Sequence, residues 1–206
     1  MNARNLTKYV IAPALVVLSV LSLVFGEYLP FEKSKQLIIS LNQAGNSTTL
    51  KDFEDTFNRV FDFYSPIGQP ESIRFFGSQI TGYLSHEIPI DLSQGLTNYT
   101  DKVFQASENS VGFKGLNYTQ TQLMLANVHY LNWVNAKNKA DFDKTEEYYK
   151  EVVKLSPNRP QALYGLFQLY YSNKDVDNTL SMADKILSVW PDNQKLKDIV
   201  SPLRQK

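Results

Sequence analysis

Two stretches of this chain repeat each other at a fixed offset, and that offset constrains the fold more than any other feature. FDKTEEYYKEVVKLSPNRPQAL (Phe142–Leu163) aligns without a gap to VDNTLSMADKILSVWPDNQKLK (Val176–Lys197), 34 residues on. Thr145 falls on Thr179, Tyr149 on Ala183, Val152 on Ile186 and Pro157 on Pro191. Within each copy the apolar residues recur at i, i+3, i+4 and i+7, the spacing of one buried helical stripe. Pro157 and Pro191 cannot continue a helix and so close one, while Asn158 and Asp192 are placed to supply turn or N-cap oxygens. A unit this short cannot bury its apolar face alone, so its copies must stack.

A 34-residue period closed by proline resembles the tetratricopeptide repeat family. Within Pro160–Asn193, Leu163, Leu166, Phe167 and Tyr170 stand where that family places Trp, Leu, Gly and Tyr in its first helix. Thr179, Ala183, Ile186 and Pro191 take the second-helix positions usually held by Ala, an aromatic, Ala and Pro. Phe167 in the usual Gly place departs from the pattern and implies wider spacing between the paired helices. In the preceding unit Leu123, Ala126, Asn127 and Tyr130 fit the first helix. Tyr130 and Thr145 are 15 residues apart where Tyr170 and Thr179 are 9, so Leu131 to Ala140 is expected to hold an insertion or an extended helix end. The resemblance runs from about Gln120 to Lys206 and implies an all-α fold, an α-solenoid of tetratricopeptide-type helix pairs over residues 119–206. Lys195 to Val200, stopped by Pro202, reads as its short capping helix.

The N-terminus carries a second signal. Val10 to Phe25 holds no charge, and its only polar side chains are Ser19 and Ser22. With Tyr9 and Gly26 included, about 18 residues at ~1.5 Å each give roughly 27 Å, enough for a thin hydrocarbon core. Residues 9–26 are therefore expected to be a transmembrane anchor, flanked by Tyr9 and Tyr28 as interfacial aromatics. Arg4 and Lys8 precede the run and Glu27 and Glu32 follow it. That asymmetry puts residues 1–8 in the cytoplasm and the C-terminal domain outside the cytoplasmic membrane, with a single span. A cleaved signal peptide is the rival, but Val24 and Gly26 match a cleavage site poorly and the run exceeds the usual apolar region.

Between anchor and repeats, the polar residues 27–35 read as a juxtamembrane linker and 36–118 as a less regular helical segment. Phe53, Phe57, Val60, Phe61 and Tyr64 form a stripe that ends at Ser65-Pro66. Ile67 to Leu84 reads as a turn and then a helix starting near Pro70 and Glu71, where proline and an acid suit a first turn. Ile88 to Thr97 is expected to be a connector, and Thr97 to Phe113 another helix. A terminal apolar span, an aromatic helix, PIGQPESIRFFGSQI and then repeat units together resemble the C-terminal part of bacterial O-antigen ligase or polymerase-like membrane proteins. In those, a membrane bundle carries the glycan chemistry and an extracytoplasmic repeat tail follows. The resemblance implies a multispan glycan ligase as a partner, or that this chain is the tail of one. The catalytic bundle is absent, so glycosyl transfer itself is not implied here.

Composition and motifs point away from other classes. Lys+Arg and Asp+Glu both number 21, leaving no basic excess of the kind nucleic acid requires. There is no cysteine, which removes disulfides, thiolate nucleophiles and cysteine metal sites. His86 and His129 are the only histidines and lie 43 residues apart, without metal-ligand spacing. Asp141, Asp143, Glu146, Glu147 and Glu151 interleave with Lys144, Lys150 and Lys154, the pattern of a solvated helix face. No phosphate-binding glycine loop occurs. No catalytic residue, metal or cofactor is expected.

Binding then falls to the concave face built from first helices. Its outward positions are Gln161, Tyr164, Gln168 and Tyr171 in one unit, and Thr121, Met124, Val128 and Leu131 in the unit before. Tetratricopeptide grooves that grip C-terminal carboxylates are lined with Lys, Arg and Asn, and that clamp is lacking. A polar-aromatic groove suits an extended peptide or a partner helix. The expected function is a membrane-anchored scaffold for protein–protein interaction, linked to surface-polysaccharide assembly.

Overall fold

A computed structural model describes residues 7–47, 49–107 and 116–205, and every regular element in them is helical. The chain divides into two compact units, Met1–Phe76 and Gly77–Lys206.

The first unit opens on one helix from Tyr9 to Ala44, 36 residues long. It contains two α-helical lengths, α1 (Ala12–Leu23) and α2 (Leu29–Ala44), each preceded by a wider π-helical turn, Thr7–Ile11 and Val24–Tyr28. Both wide turns sit immediately before a proline, Pro13 and Pro30, at the start of the following α segment. The proline ring clashes with the carbonyl four residues back, and a widened turn accommodates it without breaking the helix. No residue of α1 is buried. Even the Ser19 hydroxyl is satisfied within the helix, donating to the Leu15 carbonyl at 2.8 Å. A helix apolar on every side, with its polar groups bonded internally, is long and apolar enough to cross a membrane.

The expected linker 27–35 is helical from Glu27 on, and Lys33 within it is buried. Its ammonium group donates to the carbonyls of Val60 (3.1 Å) and Phe63 (2.9 Å), at the C-terminal end of α3 (Leu50–Phe61). A cation there satisfies carbonyls that the helix leaves open and complements its dipole. Thr49 caps the other end of α3, accepting from the Asp52 amide at 3.1 Å. The stripe Phe53–Phe57–Phe61 packs on Phe76, from the first half of α4 (Gln69–Leu84), with ring centroids 5.0 Å apart for Phe57 and 5.3 Å for Phe61. Phe57, Val60 and Phe76 are fully buried, so the apolar stripe read over Phe53–Phe61 is the aromatic core of this unit.

The second unit holds the rest of α4, then α5 (Ile90–Ser107), α6 (Leu116–Ala136), α7 (Lys139–Leu155), α8 (Pro160–Ser172), α9 (Val176–Val189) and α10 (Gln194–Val200), closed by a 3-10 turn at Ser201–Leu203. The connector expected at Ile88–Thr97 is mostly α5: Pro89 accepts the Ser93 amide bond at 2.9 Å and Asp91 lies in the first turn, so proline starts a helix here. Of the helix expected over Thr97–Phe113, residues beyond Ser107 lie outside the described ones. The spacing anomaly at Leu131–Ala140 is an extended helix end, with α6 running to Ala136. Chain reversal after α6 and α8 uses Lys137 (φ 54°) and Lys174 (φ 60°) in the left-handed region, the usual way to close a helix in a short turn.

From α7 onward the geometry repeats with the 34-residue period. Helix ends Leu155 and Val189 are 34 apart, as are helix starts Pro160 and Gln194. The C-cap residues Ser156 (φ −142°, ψ 79°) and Trp190 (φ −127°, ψ 77°) match. Thr145 and Thr179 each donate to the carbonyl four residues back, at 2.7 and 2.5 Å. One core cluster contains Tyr149, Val152, Ala162 and Leu166; another contains Ala183, Ile186, Leu196 and Val200, each 34 residues further. Helix α8 serves both, giving Ala162, Leu166 and Tyr170 to the first and Leu163 and Phe167 to the second. The cap oxygens differ from those expected: Asn193, not Asp192, accepts from the Leu196 amide at 3.1 Å, and Arg159 heads α8 without a side-chain cap. Arg159 instead donates to Thr119 and Gln120 at 2.6 and 2.8 Å, tying the starts of α8 and α6.

Candidate functional site

Helix α8 is buried on two flanks and open on the third. Gln161, Tyr164, Gln168 and Tyr171 lie on the open side, spaced by three and four residues, and all four are exposed. Tyr164 is 37 % exposed; its ring faces Trp190 at 6.2 Å and its hydroxyl accepts from the Asn193 amide. These side chains, with Pro160, Val189, Pro191 and Asp192, line an open pocket of ≈ 580 Å³ where α9 turns into α10. Tyr171 stacks on Phe167 at 5.9 Å, 15° between planes, leaving its other face to solvent. The strip thus offers two aromatic faces and two amides on a helix whose other sides are locked in core, an arrangement that stacks on and hydrogen-bonds to an extended backbone.

Met124 and Val128, expected on the same groove, are in the core instead, with Val128 fully buried. The Met124 thioether lies against Gly77 of α4, filling the space that a Cβ there would occupy. An outward position in an isolated helix pair becomes an inward one when a further helix packs over it. The face is therefore confined to α8 and the α9–α10 turn.

A second arrangement escaped the sequence. His129 of α6 is 1 % exposed, and both ring nitrogens meet carboxylates: Nδ1 lies 2.6 Å from Asp141 of α7 and Nε2 3.0 Å from Asp101 of α5. Lys144 donates to the other Asp101 oxygen at 2.5 Å, and the Tyr148 ring stacks on the imidazole at 5.7 Å. Asn132 and Asn138 both donate to the second Asp141 oxygen, at 2.7 and 2.6 Å, and both also donate to Gln94. Ser93 completes the set by donating to the Asn132 carbonyl oxygen at 2.6 Å. Burial alone would lower the His129 pKa, but the bonds to Asp101 and Asp141 outweigh it and hold the imidazole above its usual range. Burial pushes Asp101 up, while His129 and Lys144 pull it further down, leaving it below the usual carboxylate range. The mutually satisfied members of the cluster clamp α5, α6 and α7 together. The imidazole is enclosed, and its bonds join three helices.

Asp141 was expected on a solvated acidic face, and it is buried; only its neighbours keep to that face, with Lys139–Asp143 and Lys150–Glu146 pairs at 2.8 and 2.9 Å. The available signal was Asn138-Lys-Ala-Asp141, a capping-box spacing just before an apolar-periodic run. Asn138 does cap α7, accepting from the amides of Ala140 and Asp141 at 2.8 and 3.3 Å.

No family model matches this chain, and neither the curated proteins nor the solved structures provide a match.

Proposed function

We propose that this chain is a single-span membrane protein whose tetratricopeptide-type repeats form an interaction scaffold at the outer face of the membrane. The open strip on α8, Gln161, Tyr164, Gln168 and Tyr171, is the observation that carries this reading. A helix fixed on both flanks presents aromatic and amide groups without a further ordering cost, which favours binding of an extended peptide or a partner helix. The 34-residue repetition of caps and core supports the solenoid reading, and the uncovered apolar helix supports the anchor. Arg4 and Lys8 before the run against Glu27 and Glu32 after it support an outward-facing C-terminal domain. The narrower reading, with a multispan glycan ligase as partner in surface-polysaccharide assembly, rests on the segment Pro66–Ile80. That segment forms the turn into α4 and its first three turns.

The test is a Tyr164→Ala, Tyr171→Ala double variant of the full chain, compared with wild type for capture of membrane partners and for thermal unfolding. A binding hot spot loses ~2 kcal/mol or more on truncation, roughly thirtyfold in affinity. Because Tyr164 also packs on Trp190, a small drop in melting temperature accompanies the loss of capture. Capture undiminished in the double variant removes the strip from the site.

A further inference from the structure

In the first unit, α2 and α3 are antiparallel. Ser40 of α2 donates to the Thr56 carbonyl at 2.8 Å, and seven residues nearer the apolar span Lys33 donates to Val60 and Phe63. Moving toward the span along α2 is therefore moving toward the C-terminus of α3. The loop that follows, 62–68, lies at that same end, and a Cβ on Gly68 (φ 94°) would sit 3.6 Å from the Lys33 stem. At about 1.5 Å per residue from Gly26, Lys33 is roughly 10 Å beyond the end of the apolar run. Headgroup layers occupy about 5–7 Å on each side of the hydrocarbon, so a loop held at Lys33 is within a side chain's length of them.

This end of the unit is apolar and exposed. Tyr28 is 60 % exposed, Phe31 65 %, Tyr64 68 % and Ile67 60 %; Ile38, Ile39 and Phe75 are exposed as well, while Phe53, Phe57, Val60, Ile73 and Phe76 fill the core of the unit. Because α1 and α2 are one helix, the height of these residues above the span is set by the helix itself. We infer that Tyr28, Phe31, Tyr64 and Ile67 seat the first unit on the interfacial layer of the same bilayer that α1 crosses. The occupant is the lipid headgroup and upper acyl region, where tyrosine and phenylalanine place an apolar body and, for tyrosine, a polar tip. The attraction is not electrostatic: Glu27, Glu32 and Asp62 outnumber Arg59, the exposed cation in the last turn of α3, with Lys35 paired to Glu32 at 3.2 Å and Lys33 turned inward. Anionic lipid and low salt therefore do not strengthen the contact.

This inference rests on the anchor reading, and one experiment separates the two. The natural sequence has no cysteine, so single labels are specific. Tyr64→Cys, Ile67→Cys, Lys51→Cys and Val17→Cys variants of the full chain carry a nitroxide and are placed in phosphatidylcholine nanodiscs. Lys51, at the far end of α3, is exposed and by the same count roughly 28 Å from Gly26. Accessibility to a water-borne paramagnetic relaxant is expected to be several-fold lower at positions 64 and 67 than at 51, and unchanged by added phosphatidylglycerol or salt. Labels at 64 and 67 as accessible as at 51, with position 17 shielded, overturn the seating and leave the anchor standing. Accessibility at position 17 overturns both. Shielding at 64 and 67 that appears only with anionic lipid overturns the apolar contact argued here.

Discussion

Gly165 in the middle of α8 lies directly against the ring of Tyr149 from α7. A Cβ at Gly165 would lie 2.4 Å from Cζ of Tyr149 and 2.5 and 2.8 Å from its Cε atoms. The ring cannot yield cheaply: Tyr149 is 3 % exposed and its hydroxyl donates to Asn127 at 2.6 Å. Gly165→Ala gains about 1 kcal/mol of helix propensity. Against that stand overpacking, about 1–3 kcal/mol, and a disturbed buried hydrogen bond, about 1 kcal/mol. The sum is a net loss of about 1–3 kcal/mol, although the same change in an open helix stabilises. Trp133 and Trp190 are the only tryptophans and both lie in the second unit, so their emission during urea unfolding reports that unit alone. In a Tyr149→Leu background the ring is gone, and Gly165→Ala is expected to become neutral or stabilising by up to about 1 kcal/mol. A stabilising Gly165→Ala in the wild-type background would refute the close crossing.

Two further outcomes are expected. The raised pKa of His129 means its contribution is fully present below the unfolded histidine pKa and is lost as pH rises through the higher folded value; that of Asp101 is present above the unfolded aspartate pKa and is lost as pH falls through its depressed folded value. A pH series of urea midpoints read by tryptophan emission should fall on the alkaline side, and His129→Gln should flatten that fall; an unchanged slope in the variant assigns it to another group. Ala183 is fully buried and Gln161 exposed, so Ala183→Trp is expected to cost ~1–3 kcal/mol and Gln161→Trp almost nothing. Thermal melts ranking them in the reverse order would displace the register of the repeat.

The repeat was legible because stacking makes the same buried positions recur: Thr145, Tyr149 and Val152 return as Thr179, Ala183 and Ile186, all buried. The apolar helix was legible from composition, since a long uncharged run stands out without any pattern; Arg4, one of the two cations in the topology argument, lies outside the described residues. What escaped was tertiary. Lys33 reads as a linker charge until the carbonyls of Val60 and Phe63, 27 and 30 residues away, supply its partners. His129 meets Asp101 and Asp141 across 28 and 12 residues, with no local periodicity to announce them. Met124 and Val128 are buried, and a pattern of helix pairs gives no sign of a residue such as Gly77 packed against Met124. Gly165 was visible as an isolated glycine in a helical run, but only Tyr149 gives it a reason.

The helix runs on from the apolar span into the first unit, Tyr9 to Ala44, with the π-helical turn Val24–Tyr28 as the joint between them. On the anchor reading, the angle of the span to the bilayer normal passes through that turn to α2, which extends about 24 Å past Leu29. A change of ~10° in tilt displaces its tip by roughly 4 Å over that arm. Tilt in turn follows the match between span length and hydrocarbon thickness. An apolar run near the short end of the spanning range has little length to absorb by leaning, so it stands upright in a thick bilayer and leans only in a thin one. On that reading, membrane thickness would act as a mechanical input to the position of the outer end of α2.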